Sequence, residues 1–274
     1  MGPDGPSAPS TVLGVSDVTV RFGGITALEK VSVEVRSGEV LGVIGPNGAG
    51  KTTLFNVICG FVAPDQGGLS WKGEAINSIK PHQLAGMGIA RTLQGVGLFP
   101  GMTVLENVMV GANRFRRTRL PSALLGLPGS DKDERALRAR ASELLERLEC
   151  ADVAGRLPGE LPYAVSKRVA LARALVGDPE LLLLDEPAGG LGADDMRSLG
   201  GFIRELCSNC SVMLVEHHMD LVMEVCDRIC VLDFGREIAT GTPEQIRGDE
   251  RVLEAYLGRD AEEAPAVVGM VADA

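Results

Sequence analysis

At 274 residues, with 45% hydrophobic but only 4% aromatic residues, the composition predicts an α/β protein with a core of Val, Leu, Ile and Ala. A formal net charge of −10 argues against a nucleic-acid partner, because binding phosphates along a nucleic acid requires a basic face. No apolar stretch is long enough to span a bilayer and the N-terminus lacks signal-peptide features, so we expect an intracellular protein, for which any membrane role would come through a partner.

The first predicted elements are strands that lead up to a buried strand. The segments "TVLGVSDVTVRF" and "VSVEV" have the composition of strands, and Ser37-Gly38 predicts the turn that follows them. The next run, "VLGVIG", is apolar on both faces, as the central strand of a parallel sheet is.

The pattern becomes helical from Thr103 to about Arg173. One apolar stripe at helical spacing is formed by Leu137, Ala141, Leu144, Leu145 and Leu148. Strand patterns return with "LLLLDEP", "SVMLVEH" and "RICVLDFG". We therefore expect an α/β core interrupted by a helical insertion at about 101–165.

The two ends of the chain differ from the rest in composition. Residues 1–10 and 259–274 are rich in Pro, Ala, Gly and acidic residues, which predicts disordered tails around one domain at 11–258.

The six cysteines do not predict a disulfide framework in a chain of this size. Cys207 and Cys210 have the CxxC spacing of zinc and redox sites, but this spacing alone is a weak signal. We expect reduced thiols near helix ends.

A phosphate-binding loop is the strongest signal in the sequence. "GPNGAGKTT" fits G-x-x-x-x-G-K-[ST] from Gly45 to Thr52, after a buried strand and before a helical run. Glycines let the backbone wrap phosphates, while Lys51 would reach the β- and γ-phosphates and the Thr52 hydroxyl would bind Mg²⁺. A chance Gly-rich turn is the alternative, and the strand–helix context makes it remote. The predicted nucleotide-binding residues are Gly45, Pro46, Asn47, Gly48, Ala49, Gly50, Lys51, Thr52 and Thr53.

The segment "LLLLDEP" supplies a second part of such a site. Its four apolar residues predict a buried strand, and Asp185 at the end of that strand can orient Mg²⁺ through water. Glu186 is then placed to polarise the water that attacks the γ-phosphate. Alone, this pair would predict an ordinary turn; together with the phosphate loop it predicts catalysis.

The chain resembles the ATPase subunits of ABC transporters over residues 11–258. The resemblance rests on the order of the motifs, which is the phosphate loop, "RTLQ", "LPYAVSKRVALARAL", "LLLLDEP" and "LVEHHMD". The resemblance implies a P-loop NTPase fold, in which a RecA-like core and an antiparallel β subdomain carry an inserted helical signature subdomain. It implies ATP and Mg²⁺ as cofactors. It also implies that Phe22 stacks on adenine, that Gln94 binds Mg²⁺ and senses the membrane subunit, and that His217 hydrogen-bonds the γ-phosphate. A purely structural histidine is the alternative for His217.

Two longer segments, "GLFPGMTVLENVMVGANR" and "EHHMDLVMEVCDRICVLDFGREIATGTPEQI", are among those that resemble the ATPase subunits of branched-chain amino acid importers. Such importers have two ATPase subunits, and the chain is similar to the longer one. This implies permease subunits and a second ATPase subunit or a second copy as partners, a solute-binding protein as an indirect partner, and a location at the cytoplasmic membrane face. An ATPase subunit of another ABC system is the alternative. An enlarged loop is expected at 114–130. Its four arginines could contact lipid headgroups or a partner, but we favour a solvated loop, because clusters of charge are usually solvated.

The segment Gln94 to Phe99 predicts a docking surface for the permease. "GVGLFPG" is apolar and Gly-rich, and an exposed Phe99 would anchor a short helix of the partner. A packed hinge with a buried Phe99 is the alternative.

The signature segment, residues 161–165, departs from the family. Its family counterpart reads Leu-Ser-Gly-Gly-Gln or Leu-Ala-Tyr-Gly-Gln, and binds the γ-phosphate of ATP held by the opposite subunit through amides at a helix N-terminus. This chain keeps Leu161 and Tyr163, but Pro162 lacks an amide hydrogen, Ala164 adds a methyl group and Val165 replaces the glutamine.

Gly192 is a further departure, because the family usually has Asp or Asn at the place that helps to couple the two sites. We therefore expect a degenerate signature with a weakened contact to the partner's ATP. A regulatory subunit that hydrolyses poorly stays open as an alternative. A soluble P-loop kinase does not fit the glutamine, signature and histidine elements.

Overall fold

A computed structural model describes residues 10–76, 79–92, 95–112 and 128–257 of the chain, without the side chains of 128–133 and 257. The tails expected at 1–10 and 259–274 lie outside the described residues except for Ser10, and so does nearly all of the loop expected at 114–130. Gln94 lies outside them as well.

Strands and helices alternate along the described chain, as the sequence predicts. The strands are β1 Thr11–Phe22, β2 Ile25–Arg36, β3 Val40–Ile44, β4 Gln66–Trp71, β5 Glu74–Ile76, β6 Ile89–Arg91, β7 Leu181–Asp185, β8 Ser211–Val215, β9 Arg228–Asp233 and β10 Arg236–Gly241. The helices are α1 Lys51–Ile58, α2 Leu84–Met87, α3 Val104–Gly111, α4 Pro128–Arg147, α5 Tyr163–Leu175, α6 Ala193–Leu206, α7 Met219–Val225, α8 Pro243–Arg247 and α9 Glu250–Leu257. Short 3₁₀ helices occupy Pro81–Gln83, Ala151–Val153 and Pro158–Glu160.

The chain forms two compact units, and the first comprises Met1–Pro81 and Met196–Ala274. One sheet of this unit is antiparallel, with strand order β2-β1-β4-β5. In the other, β3 lies between β8 and β9 and runs parallel to both, and β10 is antiparallel to β9. Strands β3 and β8 are buried at every residue, which is why their sequences are apolar on both faces.

The second unit spans His82–Asp195. It contains the predicted helical segment, in which α3 packs against α4 and α5, together with the parallel strands β6 and β7. The predicted apolar stripe faces this core: Ala141, Leu144 and Leu145 of α4 are buried, as is Leu148 directly after the helix, and Leu137 is partly buried. Asn107 of α3 is also fully buried, and its amide nitrogen donates to the carbonyl oxygens of Phe99, Met102 and Thr103.

No helix within the described ranges is both long enough and apolar enough to cross a membrane.

Candidate nucleotide site

The phosphate loop joins the buried end of β3 to the first turn of α1. Its glycines at 45, 48 and 50 all have positive φ, of 148°, 79° and 104°. A Cβ atom on Gly45 would collide with the carbonyl oxygen of Leu232, and one on Gly50 would lie 2.8 Å from the carbonyl oxygen of Ala27. The backbone of β2 and β9 therefore leaves room only for glycine at these two positions.

Lys51 is buried within the phosphate loop that it serves. Its ammonium donates hydrogen bonds to the carbonyl oxygens of Gly45, at 2.5 Å, and Pro46, at 3.0 Å. The bond from the Leu54 amide to the Gly50 carbonyl, 2.9 Å long, is the first of the helical pattern. The amides of residues 51–53 thus precede the helical bonds at the positive end of α1, where an anion is stabilised. Asn47, Gly48 and Thr52 are exposed beside them.

Asp185 ends β7 as a buried carboxylate with one close cationic partner. Its Oδ2 lies 2.8 Å from Nη2 of Arg91, whose side chain is also largely buried. Glu186 follows with φ at +48°, so the chain turns sharply where the buried strand ends. Arg91 begins the segment "RTLQ", but no local sequence pattern indicates that this arginine pairs with Asp185.

The segment before α3 is both held in place and exposed. Phe99 is 47% exposed, which agrees with the predicted anchor and not with a buried hinge residue. Its backbone is nevertheless fixed, because its amide donates to Asn107 Oδ1 at 2.7 Å. The guanidinium of Arg173 lies 5.9 Å from the centre of the Phe99 ring and donates to the Gly97 carbonyl at 2.7 Å. Since Gln94 is outside the described residues, its role stays a prediction.

His217 follows β8 at the start of α7 and is held through its neighbour. The buried carboxylate of Glu216 accepts hydrogen bonds from the amides of His217 and His218, at 2.9 and 3.2 Å. The His218 Nδ1 lies 2.9 Å from the same oxygen. The His217 side chain is 56% exposed, so its ring is accessible to a ligand. Sequence reasoning missed Glu216, although it directly precedes the histidine pair.

One cluster among the described residues has the composition of a metal site. It consists of Glu216, His217 and His218, whose possible ligand atoms all lie within 4.8 Å of one another. The Glu216 carboxylate already accepts hydrogen bonds from the amides of His217 and His218, which lie just ahead of the α7 helix, so these bonds explain its burial without a metal.

Phe22 ends β1 and pairs with Ile25 across a tight turn. Both side chains are exposed, and the Phe22 ring is half exposed. An aromatic face at this tip is open to stacking by a planar ligand.

The signature segment leads into α5, which begins at Tyr163 after the extended Pro162 at φ −56° and ψ 151°. The Ser166 amide donates to the Pro162 carbonyl at 3.0 Å, which is the first helical bond. The amides of residues 163–165 therefore precede the first helical bond, as they do at any helix N-terminus. The departures at Pro162, Ala164 and Val165 leave this N-terminus of α5 in place. Pro162 and Tyr163 are exposed, and Ala164 and Val165 are partly exposed.

All six cysteines are free thiols. Burial raises the pKa of Cys207 to about 11, so this thiol is protonated and unreactive near neutral pH.

Comparison with known proteins places these features in one family. The ABC transporter family matches residues 28–189, and the branched-chain amino acid ATP-binding cassette transporter family matches residues 236–262. The branched-chain amino acid transport ATP-binding proteins LivG of Salmonella typhimurium and BraF of Pseudomonas aeruginosa are each 41% identical over 249 residues. Each match covers 90% of this chain and 98% of the relative.

Solved structures agree with this assignment. A nucleotide-free ATP-binding cassette from an ABC transporter superposes with a TM-score of 0.79 at 31% identity, and covers 91% of this chain and 100% of its own. The ADP conformation of the cassette MJ1267 gives the same TM-score and identity. The predicted P-loop NTPase fold is confirmed, and nucleotide is the ligand of that fold. ATPase subunits of this kind work with membrane permease components. Because the match includes the phosphate loop and extends over nine tenths of the chain, this chain belongs to the ATP-binding subunits of ABC transporters.

Proposed function

We propose that the chain binds and hydrolyses Mg²⁺-ATP to power an importer of branched-chain amino acids. The observation that carries this proposal is the 41% identity to LivG and BraF over 90% of the chain, together with the separate match of residues 236–262 to a branched-chain amino acid transporter family. The preformed phosphate loop, with Lys51 already held at its centre, supports the nucleotide part of the proposal.

The phosphates of ATP are assigned to the loop residues 45–53. Lys51 would leave the carbonyls of Gly45 and Pro46 for the β- and γ-phosphates, because an anion is the better partner for an ammonium group. The amides of Gly48, Gly50, Thr52 and Thr53 would cradle the same phosphates. The Ala49 amide instead donates to the Pro46 carbonyl at 3.1 Å and would help to hold the loop in shape. Phe22 would stack on the adenine through its exposed face.

The oxygen donors that we assign to Mg²⁺ fit a hard cation. Thr52 offers an exposed hydroxyl, and Asp185 offers a buried carboxylate of which Arg91 contacts Oδ2. We assign Oδ1 of Asp185 to the metal or to its bound water, and add the Gln94 amide oxygen to this set. A bound Mg²⁺ would neutralise charge on the β- and γ-phosphates.

Hydrolysis is assigned to Glu186 and His217. The Glu186 carboxylate would accept a proton from the attacking water, and His217 would donate a hydrogen bond to the γ-phosphate. Glu216 would orient His217, because its carboxylate holds the amide of that residue.

The proposed partners are permease subunits and a second ATPase subunit, with an extracytoplasmic solute-binding protein acting indirectly. Docking at the cytoplasmic membrane face would use the exposed Phe99, whose backbone is fixed by Asn107. An exposed aromatic side chain on a rigid segment loses little entropy when it enters a partner's pocket.

A test of the docking surface is the variant Phe99→Asp, expressed with the permease. It should abolish co-purification while ATP still binds to the isolated subunit. Phe61→Asp is the matched control, because Phe61 is exposed to a similar degree in the other unit and should keep the complex. Retention of the complex by the Phe99 variant would refute this surface.

The cargo is tested separately in vesicles that contain the assembled importer and its binding protein. Leucine, isoleucine and valine should stimulate ATP hydrolysis and should be taken up. Stimulation only by amino acids with charged side chains would refute the branched-chain assignment without affecting the ATPase assignment.

A regulatory subunit that hydrolyses ATP slowly is the second candidate. The observations that favour it are Pro162, Ala164 and Val165 in the signature segment, and the exposed Gly192. If this alternative holds, Glu186→Gln in the assembled transporter will leave transport and total ATPase activity nearly unchanged.

A further inference from the structure

Lys167 connects α5 to the turn after β7. It lies one helical turn beyond Tyr163, inside the helix that follows the degenerate signature. Its ammonium donates to the carbonyl oxygens of Glu186, at 2.9 Å, and Pro187, at 3.0 Å. Both groups belong to the unit His82–Asp195, so this contact is made within one subunit.

The turn that Lys167 contacts is conformationally demanding. Glu186 has φ at +48°, a strained region that a residue with a Cβ atom rarely occupies. Such a conformation persists only where neighbouring groups hold it. The two lysine hydrogen bonds fix two successive peptide planes, those that follow Glu186 and Pro187. The direction of the Glu186 side chain depends on these planes.

The ammonium group is itself held from the signature side. It lies 5.5 Å from the centre of the Tyr163 ring, within cation–π distance. The same ring lies against the turn, because a Cβ atom on Gly190 would come within 2.9 Å of Tyr163 Cε1. Tyr163, Lys167 and the turn at 186–190 thus form one cluster, in which the aromatic ring and the two carbonyls limit where the ammonium can move.

We propose that Lys167 is a positioning residue that holds Glu186 in the conformation that hydrolyses ATP. The proposal rests on the assignment of Glu186 as the catalytic base. It gives α5 a function within its own subunit, separate from the contact that the signature segment makes to the partner's ATP. A chain with a weakened signature contact therefore still needs the α5 helix and Tyr163.

The test measures kcat and KM for ATP in the assembled transporter. Lys167→Met keeps the aliphatic length but removes both donors, and should lower kcat about ten- to a hundred-fold, the effect of losing charge-assisted hydrogen bonds. KM and the affinity for ATP should not change, because residue 167 is not assigned to the nucleotide. Lys167→Arg keeps donors and charge and should restore most of kcat. Lys72→Met is the matched control, since Lys72 also lies over an aromatic ring, Trp71, at 5.8 Å.

A second measurement distinguishes positioning from a purely structural role. In a Glu186→Gln background, Lys167→Met should cause no further loss of the residual turnover, because the group through which it acts is already gone. Independent, multiplicative losses would overturn the proposal, and so would a kcat for Lys167→Met within two-fold of wild type. If Lys167→Met does not fold, Lys167→Leu, which also lacks donors, provides the same test. Near wild-type turnover of Glu186→Gln alone would instead refute the proposed base.

Discussion

The phosphate loop and the signature segment each lead into a helix N-terminus whose first amides precede the helical bonds, an arrangement suited to binding a phosphate, but only the phosphate loop keeps the residues of its family motif. In the phosphate loop, glycine is required by the subunit's own fold, because Cβ atoms at 45 and 50 would meet the backbone of neighbouring strands. In the signature segment, Ala164 and Val165 lie, partly exposed, in the first turn of a helix and have no positive φ. We therefore expect substitutions there to cost the subunit little stability and to act mainly on ATP held by a partner.

The largest difference between the two regions should appear in an assembled heterodimer. The family resemblance implies that each ATP site combines the phosphate loop of one subunit with the signature of the other. Glu186→Gln in this chain should lower total turnover about 10²- to 10⁴-fold, because an amide cannot accept the proton of the attacking water. The same substitution in the partner should cost much less, since that site already relies on the weakened signature segment. Steady-state ATPase rates of the two variants provide the measurement, and equal losses would mean that the signature segment still works.

A second prediction concerns the requirement for glycine in the phosphate loop. Gly45→Ala should lower the free energy of unfolding by about 2–4 kcal/mol, because it adds both backbone strain and overlap with the Leu232 carbonyl. Gly48→Ala is the matched variant: it has positive φ but open space around its Cβ position, so about 1 kcal/mol is expected. Urea denaturation of both variants tests this order. A similar loss for both would show that the overlap is relieved by a backbone shift.

A third prediction separates ATP binding from catalysis. Lys51→Ala should weaken ATP binding about ten- to a hundred-fold, because it removes a charge-assisted bond to the phosphates. The fold should survive, since the two carbonyl oxygens that accept from the ammonium, those of Gly45 and Pro46, belong to the same loop. Equilibrium titration with a fluorescent ATP analogue measures the affinity, with Lys72→Ala as control. Unchanged affinity would show that ATP does not bind at the phosphate loop.

The parts of the fold and site that follow from local pattern could be predicted from the sequence. The fully buried β3 and β7 and the phosphate loop between β3 and α1 are examples, because hydrophobic pattern and glycine spacing are local signals. The partners of the functional residues could not be predicted in this way. Arg91 pairs with Asp185 across 94 positions, and Lys167 reaches Glu186 across 19. No periodicity connects such residues, since only the packing of their strands and helices brings them together.

The smallest effect is expected from repairing the signature segment. The N-terminus of α5 is already formed, with the amides of residues 163–165 ahead of the first helical bond. Of the three departures from the family counterpart, Pro162 lies ahead of the helix, and the two within it are one methyl group at Ala164 and one missing side-chain amide at Val165. The double variant Ala164→Gly and Val165→Gln should raise the ATPase rate of this chain alone about ten-fold, the effect of regaining one hydrogen bond to a charged group. Arg247→Gln, at an exposed helical position, is the control and should leave the rate unchanged. If the unmodified chain already hydrolyses ATP as fast as the repaired one, residues 162–165 do not limit the reaction, and the two ATP sites of the transporter are equivalent.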